Sequence, residues 1–177
     1  MPGKRPRLFA FSREIELSTV EGWATPAERP LLEEAIDAFL DVTRTRQLTN
    51  ERLDPIVAAC RHASANVRTV GLARLVVMAH YFEHARDAYR DLALAEDAGV
   101  RETACGSLPN APDELWLPSL EIYLADEEPA VRQAAARVAA TQVDPGLVTV
   151  LERALARETD PFTLKLLGRA HAVQSSP

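Results

Sequence analysis

Three side chains between residues 80 and 84 have the identities and spacing of a zinc site. His80 and His84 are four residues apart with Glu83 between them, in the order H-x-x-E-H. On one helix, histidines at this spacing can share a metal ion, and the glutamate can activate a bound water. However, the string falls where two helical patterns meet, and no third ligand is identifiable downstream. We therefore expect a solvated turn here, with no metal site, no catalytic residue and no cofactor.

Four cations recur at a nearly constant distance along the chain. They are 33, 31 and 33 residues apart, and we call them the cation ladder: Arg68, Arg101, Arg132 and Lys165. Aspartates occur at or near predicted turns, at Asp97, Asp126 and Asp160. Because a guanidinium donates several hydrogen bonds at once, it can bind such carboxylates or the turn carbonyls. The favoured interpretation is therefore structural, with the ladder joining successive repeats.

The alternative interpretation of the ladder is a basic line that binds an acidic peptide or phosphates. Neighbouring polar positions would extend that line: Gln133, Arg137 and Arg169. These three residues and the four cations of the ladder form the candidate partner-binding surface.

The two cysteines are the remaining candidates for chemistry. Cys60 and Cys105 fall within helical patterns, and neither has a patterned histidine–acid pair nearby. Free cysteines without such partners usually pack as small apolar residues, so we expect both to be buried. The sequence contains no glycine-rich phosphate loop, nucleophile-elbow string or Cys-x-x-Cys motif.

A common local pattern surrounds each cation of the ladder. An apolar residue precedes the cation, a small residue follows that apolar residue after four positions, and another apolar residue follows after eight. The four sets are Val67/Gly71/Leu75, Val100/Ala104/Leu108, Val131/Ala135/Ala139 and Leu164/Gly168/Ala172. A small residue allows two helices to approach closely, and a period near 33 is typical of stacked helical hairpins.

The stretch Leu117–Ala135 reads L-P-x-L…L-x-D…V-R-x-x-A-A and resembles the HEAT repeat, a helix pair whose second helix opens with Val-Arg. Pro118 matches a kink common in the first helix of that family, and Pro55 lies at nearly the same offset from its own Val-Arg. The second repeat lacks this proline, and the fourth has Leu-Lys instead of Val-Arg. The resemblance covers roughly residues 50–172. It implies an all-α, right-handed α-α superhelix of about four hairpins with an N-terminal capping helix.

Start and stop signals place the predicted elements along the chain. Residues 1–24 are assigned to an N-terminal arm that is partly irregular, and residues 25–177 to a single repeat domain. Thr25 and Glu28 have the spacing of a capping box, although Pro30 could instead start the helix one turn later. The capping helix then runs to about Thr45. Hairpins follow at about residues 49–81, 83–108, 117–139 and 144–173.

Composition narrows the class of function. A net charge of −6 and a pI near 5.3 argue against a dedicated nucleic-acid binder. No apolar run approaches the roughly 20 residues that a membrane helix needs, and no signal-peptide region follows the N-terminus. Two cysteines in a chain of 177 residues make no disulfide framework. We therefore expect a cytoplasmic protein, and the abundance of Ala, Arg, Leu and Val is typical of a GC-rich bacterial genome.

Together these observations predict a non-catalytic interaction module, or adaptor, that binds another protein along the concave face formed by its second helices. We expect a monomer or a weak homodimer. The HEAT resemblance leaves two alternatives, an enzyme of the alkylbase DNA glycosylase type and a bilin lyase-like protein. A basic concave patch in which an aromatic residue and a carboxylate converge would favour the enzyme. The aromatic residues available for that role are Trp23, Trp116 and Tyr123.

Overall fold

Helices make up all of the regular structure in residues 12–174, the part of the chain that the computed structural model describes. Ten α-helices and one 3-10 turn (Leu108–Asn110) occur there, without a strand, which confirms the all-α fold class. The α-helices are α1 (Arg13–Glu21), α2 (Arg29–Thr45), α3 (Asn50–Cys60), α4 (Ala65–Ala79), α5 (Glu83–Ala93), α6 (Ala98–Ser107), α7 (Asp113–Leu124), α8 (Pro129–Ala139), α9 (Leu147–Arg157) and α10 (Pro161–Gln174).

These helices are distributed over two compact units, Met1–Leu92 and Ala93–Pro177. In the first unit, α2 contacts α1, α3 and α4, and α3 packs against α4. In the second unit, α8 lies between α6 and α10, while α7 packs against α8 and α9 against α10. The pairs α3–α4, α7–α8 and α9–α10 are therefore helical hairpins.

The start and end of α2 follow from local signals. The Thr25 backbone N–H donates to Glu28 Oε2 (2.9 Å), and the Glu28 N–H donates to Thr25 Oγ1 (3.3 Å), which is a reciprocal capping box. The regular helix begins just after this box, with Pro30 in its first turn. It ends at Thr45, as predicted, where Arg46 adopts a left-handed φ of 59°.

The predicted N-terminal arm contains a regular helix. Residues 13–21 form α1, and the Ser12 hydroxyl oxygen caps it by accepting from the Ile15 backbone N–H at 3.2 Å. Val20 is the one buried residue of α1, so the sequence carries no apolar periodicity that would have revealed the helix. Residues 1–11 of the predicted arm lie outside the described residues.

The second helices have a common residue pattern, which we call the common register, when positions are counted from the first residue of each helix. In α4, α6 and α8 the third residue is a buried valine, the fourth an arginine and the seventh a buried glycine or alanine. Because α10 begins at Pro161, its third and seventh residues are Thr163 and Leu167, and both are buried. The set predicted for this helix, Leu164/Gly168/Ala172, is one residue out of register, and none of its members is buried.

Close approach of two helices, which the small residue of the pattern predicts, is clearest at Gly71. A Cβ atom at this position would lie 2.7 Å from the Cys60 backbone N and 3.0 Å from the Ala59 Cβ. These distances are shorter than van der Waals contact, and the nearest atom is backbone that cannot rotate away. The packing of α4 against α3 therefore requires glycine at this position.

We expect Gly71→Ala to lower the free energy of unfolding of the first unit by about 1–3 kcal/mol, because the added methyl group overpacks the α3–α4 contact. Urea denaturation followed by Trp23 fluorescence, in a Trp116→Phe background, reports this unit alone. Gly22→Ala is the matched control, because Gly22 has a negative φ and open space around its Cα. Equal stability of Gly71→Ala and the wild type would contradict the close approach.

Candidate partner-binding face

The Arg101 guanidinium joins two inter-helix turns of the second unit. Its Nη1 donates to the carbonyls of Ala95 (2.7 Å) and Glu96 (2.9 Å), at the turn that precedes α6. Its Nε and Nη2 donate to the two carboxylate oxygens of Asp126 (2.7 and 2.9 Å), at the turn between α7 and α8. Both side chains are buried, and the hydrogen bonds that Arg101 donates to the Asp126 carboxylate raise the pKa of Arg101.

Arg132 repeats this arrangement one hairpin later. Its Nη1 donates to the carbonyls of Asp126 (2.8 Å) and Glu127 (2.9 Å), and its Nε and Nη2 donate to the Glu158 carboxylate (2.7 and 3.0 Å). The Glu158 side chain is only 3% exposed, and it also accepts from the backbone N–H groups of Thr159 and Asp160. The Arg132 hydrogen bond is the main reason that the pKa of Glu158 is lowered.

Arg68 makes the same carbonyl contacts in the first unit. It is buried, and its Nη1 donates to the carbonyls of His62 (3.0 Å) and Ala63 (2.8 Å), just before α4. Arg68, Arg101 and Arg132 are all the fourth residue of their helix. The structural interpretation of the ladder therefore fits these three arginines, whose guanidinium groups are occupied by the turns.

The fourth cation of the ladder lies elsewhere. Counting from Pro161, the equivalent of Arg132 is Leu164, whereas Lys165 is exposed at the position equivalent to Gln133. The paired acids follow the same count from the start of each helix. Glu158, three residues before Pro161, pairs with Arg132, as Asp126, three residues before Pro129, pairs with Arg101. Of the aspartates singled out from the sequence, Asp97 and Asp160 instead cap α6 and α10.

Three of the predicted surface cations remain accessible on α8 and α10. Arg137 and Arg169 occupy equivalent positions in the common register, Lys165 lies one turn before Arg169, and all three are exposed. None of them forms an ion pair with another described residue. Exposed Phe162 and Val173 lie on the same face of α10, at helical spacing from Lys165 and Arg169. We call these five residues the cation face.

Gln133, the remaining residue of the predicted surface, borders the cation face on α8. It is half-buried and interacts with the Asp160 carboxylate. Hydrogen bonds from Thr163 are the main cause of the lowered pKa of Asp160, and Gln133 adds to that effect. Gln133 is thus partly engaged in supporting the start of α10.

The histidine string does not lie on one helix. α4 ends at Ala79, His80 follows as its C-cap, and α5 begins at Glu83. The helix break thus separates the two histidines, as the sequence predicts. Within residues 12–174, no group of three or more His, Cys, Asp or Glu side chains is arranged to hold a metal ion.

Both cysteines are buried in helices, as predicted, Cys60 at the end of α3 and Cys105 in α6. Burial raises the pKa of each thiol to about 12. The thiolate is the reactive form of cysteine, so neither residue is prepared to act as a nucleophile near neutral pH.

None of the three aromatic residues considered for an enzyme belongs to α8 or α10, the helices that carry the cation face. Tyr123 is fully buried and Trp116 half-buried, both in α7, and Trp23 belongs to the first unit. Because Tyr123 is fully buried, it is not available to a basic surface patch of the kind that would favour a glycosylase.

A cleft of about 340 Å³ lies between the ends of α7 and α9, beside the Arg132–Glu158 pair. The Arg153 Nη1 lies 2.8 Å from the Glu121 carboxylate, and Arg157 also lines the cleft. Most residues of this cleft belong to α7, α9 and the turns that follow them, and no sequence motif marks residues that meet only through hairpin stacking.

No protein-family model matches the chain, and no curated protein shows significant sequence similarity to it. No helix among residues 12–174 is long and apolar enough to cross a membrane.

Glu158 should make the stability of the second unit depend on pH. Because its pKa in the folded protein lies below the ordinary value of 4.5, it stabilises the fold fully above that pH and loses this effect as the pH falls. We expect Glu158→Gln to lower the free energy of unfolding by about 2–4 kcal/mol at neutral pH, since Arg132 loses its carboxylate. The difference from the wild type should shrink as the pH falls below 4.5.

Urea denaturation followed by Trp116 fluorescence, in a Trp23→Phe background, measures this difference in the second unit. Glu127→Gln is the control. The Glu127 side chain is 84% exposed, and its nearest approach to Arg101 is 3.6 Å, which is too long for a hydrogen bond. A difference in the free energy of unfolding between the wild type and Glu158→Gln that stays constant down to about pH 3 would contradict the link between stability and the ionisation of Glu158.

The buried thiols should resist modification in the folded protein. We expect alkylation by iodoacetamide at pH 8 to be at least about a hundredfold slower in buffer than in urea, because burial blocks access and disfavours the thiolate. Mass spectrometry after timed quenching gives the rate for each cysteine. Rapid alkylation of Cys105 in the folded protein would show that this thiol is accessible and would reopen a chemical role.

Proposed function

We propose that the chain is a non-catalytic, HEAT-like interaction module that binds another protein through the cation face of its second unit. The common register of α4, α6 and α8, with its arginine at the fourth position, supports the HEAT-like arrangement. The right-handed superhelix, a cytoplasmic setting and a monomeric or weakly dimeric state are part of this proposal.

The observation that carries the proposal is the contrast between two sets of cations. The guanidinium groups of Arg101, which is buried, and Arg132, which is 17% exposed, are bound to turn carbonyls and carboxylates. Arg137, Lys165 and Arg169 are exposed and form no ion pair among the described residues, although the whole chain carries a net charge of −6. Exposed cations beside accessible apolar side chains suit a partner segment that carries both acids and an apolar anchor.

The chemistry of the partner follows from the composition of this face. Phe162 is 51% exposed and Val173 44% exposed, so an apolar side chain of the partner can bury area against them. The cations at Lys165 and Arg169 then lie within one or two helical turns of that contact. We therefore propose an acidic, amphipathic segment of a protein as the ligand.

The test is a pull-down from the native cell lysate with the double variant Arg137→Glu/Arg169→Glu. We expect the captured partner to bind at least about tenfold more weakly than to the wild type, because two attractive charges become repulsive. The control Arg153→Glu/Arg157→Glu makes the same change in net charge at the cleft between α7 and α9 and should retain the partner.

Circular dichroism must show that both variants stay folded. Equal capture by the wild type and Arg137→Glu/Arg169→Glu would overturn the proposed face. Recovery of nucleic acid that moderate salt releases would instead favour the nucleic-acid enzyme.

A further inference from the structure

The helix α1 is attached to the first unit by few apolar contacts. Val20 is its only buried residue, and Ile15 is 58% exposed. A cleft of about 330 Å³ remains beside it, lined by α1 and by Arg29 and Glu33 of the start of α2. A helix that buries so little apolar surface gains little from packing, so its attachment depends on polar contacts.

Those contacts are two ion pairs and one hydrogen bond, which the Arg29 Nη2 of α2 donates to the Glu21 carbonyl at 3.3 Å. The Arg13 Nε and Nη2 donate to the Asp37 carboxylate of α2 (2.6 and 3.0 Å), but both side chains are about half exposed. Exposed pairs of this kind contribute little to stability. Glu16, by contrast, binds Arg74 of α4, and these two side chains are only 14% and 8% exposed. The Glu16–Arg74 pair is therefore the main polar attachment of α1.

The pair with Glu16 leaves part of the hydrogen-bonding capacity of the Arg74 guanidinium unsatisfied. Its Nη2 binds Glu16, and its Nη1 donates to the Val70 carbonyl at 2.8 Å. Its Nε is buried and has no hydrogen-bond partner among the described residues. Its guanidinium carbon lies 5.9 Å from the centre of the Phe39 ring, where a cation–π contact holds it in place.

The second unit shows what a complete arginine–carboxylate contact looks like in this protein. Arg101 and Arg132 each bind a carboxylate through Nε and Nη2 together, which is the bidentate geometry. Arg74 offers the same two donors, but Glu16 binds only Nη2. A carboxylate that bound both donors would satisfy a buried polar atom that α1 leaves unpaired.

We propose that α1 is a releasable segment and that the site formed by Arg74 and Phe39 beneath it binds an acidic helix of a partner protein when α1 leaves. Charge determines the kind of occupant, because a buried guanidinium without a carboxylate is strongly unfavourable. An apolar helix would therefore not replace α1. The spacing of Glu16 and Val20 in α1, one turn apart on one face, indicates the pattern that the partner helix would carry. This surface lies in the first unit and does not depend on the cation face.

Hydrogen exchange on the full chain tests the release of α1. Glu16→Gln removes the charge that Arg74 binds, so amides of residues 13–21 should exchange at least about tenfold faster than in the wild type. Amides of α2, α3 and α4 should keep their protection. Glu14→Gln, an exposed position on the same helix, is the matched control and should leave exchange unchanged. Unchanged protection of α1 in Glu16→Gln, or loss of protection throughout the first unit, would overturn the proposal.

Binding of a defined probe tests the site beneath α1. A labelled peptide of residues 12–24, followed by fluorescence anisotropy, should bind the full-length Glu16→Gln chain at least about tenfold more tightly than the wild type, whose own α1 occupies the site. The same peptide with glutamine in place of Glu16 should bind at least about tenfold more weakly to that variant. Binding that does not depend on the glutamate would overturn the proposal. A wild-type chain that elutes as a dimer by exchanging α1 between copies would overturn the assignment to a partner protein.

Discussion

The turn between the two helices of a hairpin contains carbonyl groups that accept no hydrogen bond from a backbone N–H. In the second unit, the arginine at the fourth position of the following helix fills that need and reaches on to a carboxylate at the next turn. One planar side chain with five donors thus completes a turn within one hairpin and fixes its distance from the next. A lysine could not do both, because its single ammonium group lacks the fixed geometry of the fork.

The need to satisfy the turn carbonyls divides the cations of the second helices into two groups, those held by turns and those exposed to solvent. The arginine at the fourth position of α4, α6 and α8 is held by the carbonyls of the preceding turn, whereas the cations at later positions of α8 and α10 extend into solvent. The three cations of the cation face occupy such positions, Arg137 on α8 and Lys165 and Arg169 on α10. Leu164 stands at the fourth position of α10, where an arginine would bind the carboxylate of a following turn. The last described hairpin therefore lacks the side chain that makes this connection.

The first unit uses a buried arginine differently. Arg74 lies under α1, with one donor on Glu16 and another without a partner, instead of bridging two turns. A fully satisfied guanidinium makes a contact rigid, while a partly satisfied one leaves a competing carboxylate something to gain. The same residue type thus supports a permanent contact in the second unit and an exchangeable one in the first.

Local signals in the sequence determined most of the helix positions. The capping box at Thr25, the first-turn proline at Pro129 and the Val-Arg pairs act within one or two turns, so they can be recognised without the fold. The same is true of Gly71, whose need for a small side chain appears in the repeat pattern. Residue type alone misaligned the last hairpin, because Leu-Lys was matched to Val-Arg. In α8 the Val-Arg pair begins at the third residue of the helix, whereas in α10 the Leu-Lys pair begins at the fourth.

Tertiary structure decided which charges meet. The pairing of Arg132 with Glu158 joins residues 26 positions apart, and that of Arg74 with Glu16 joins residues 58 apart. No periodicity predicts such pairs, because they depend on how helices stack. The helix α1 was likewise hidden from the sequence, since charged contacts, not an apolar face, hold it in place. The sequence alone thus determined most of the helices and the candidate cations, and only the packed structure decided which of these cations are held by turns and which are exposed.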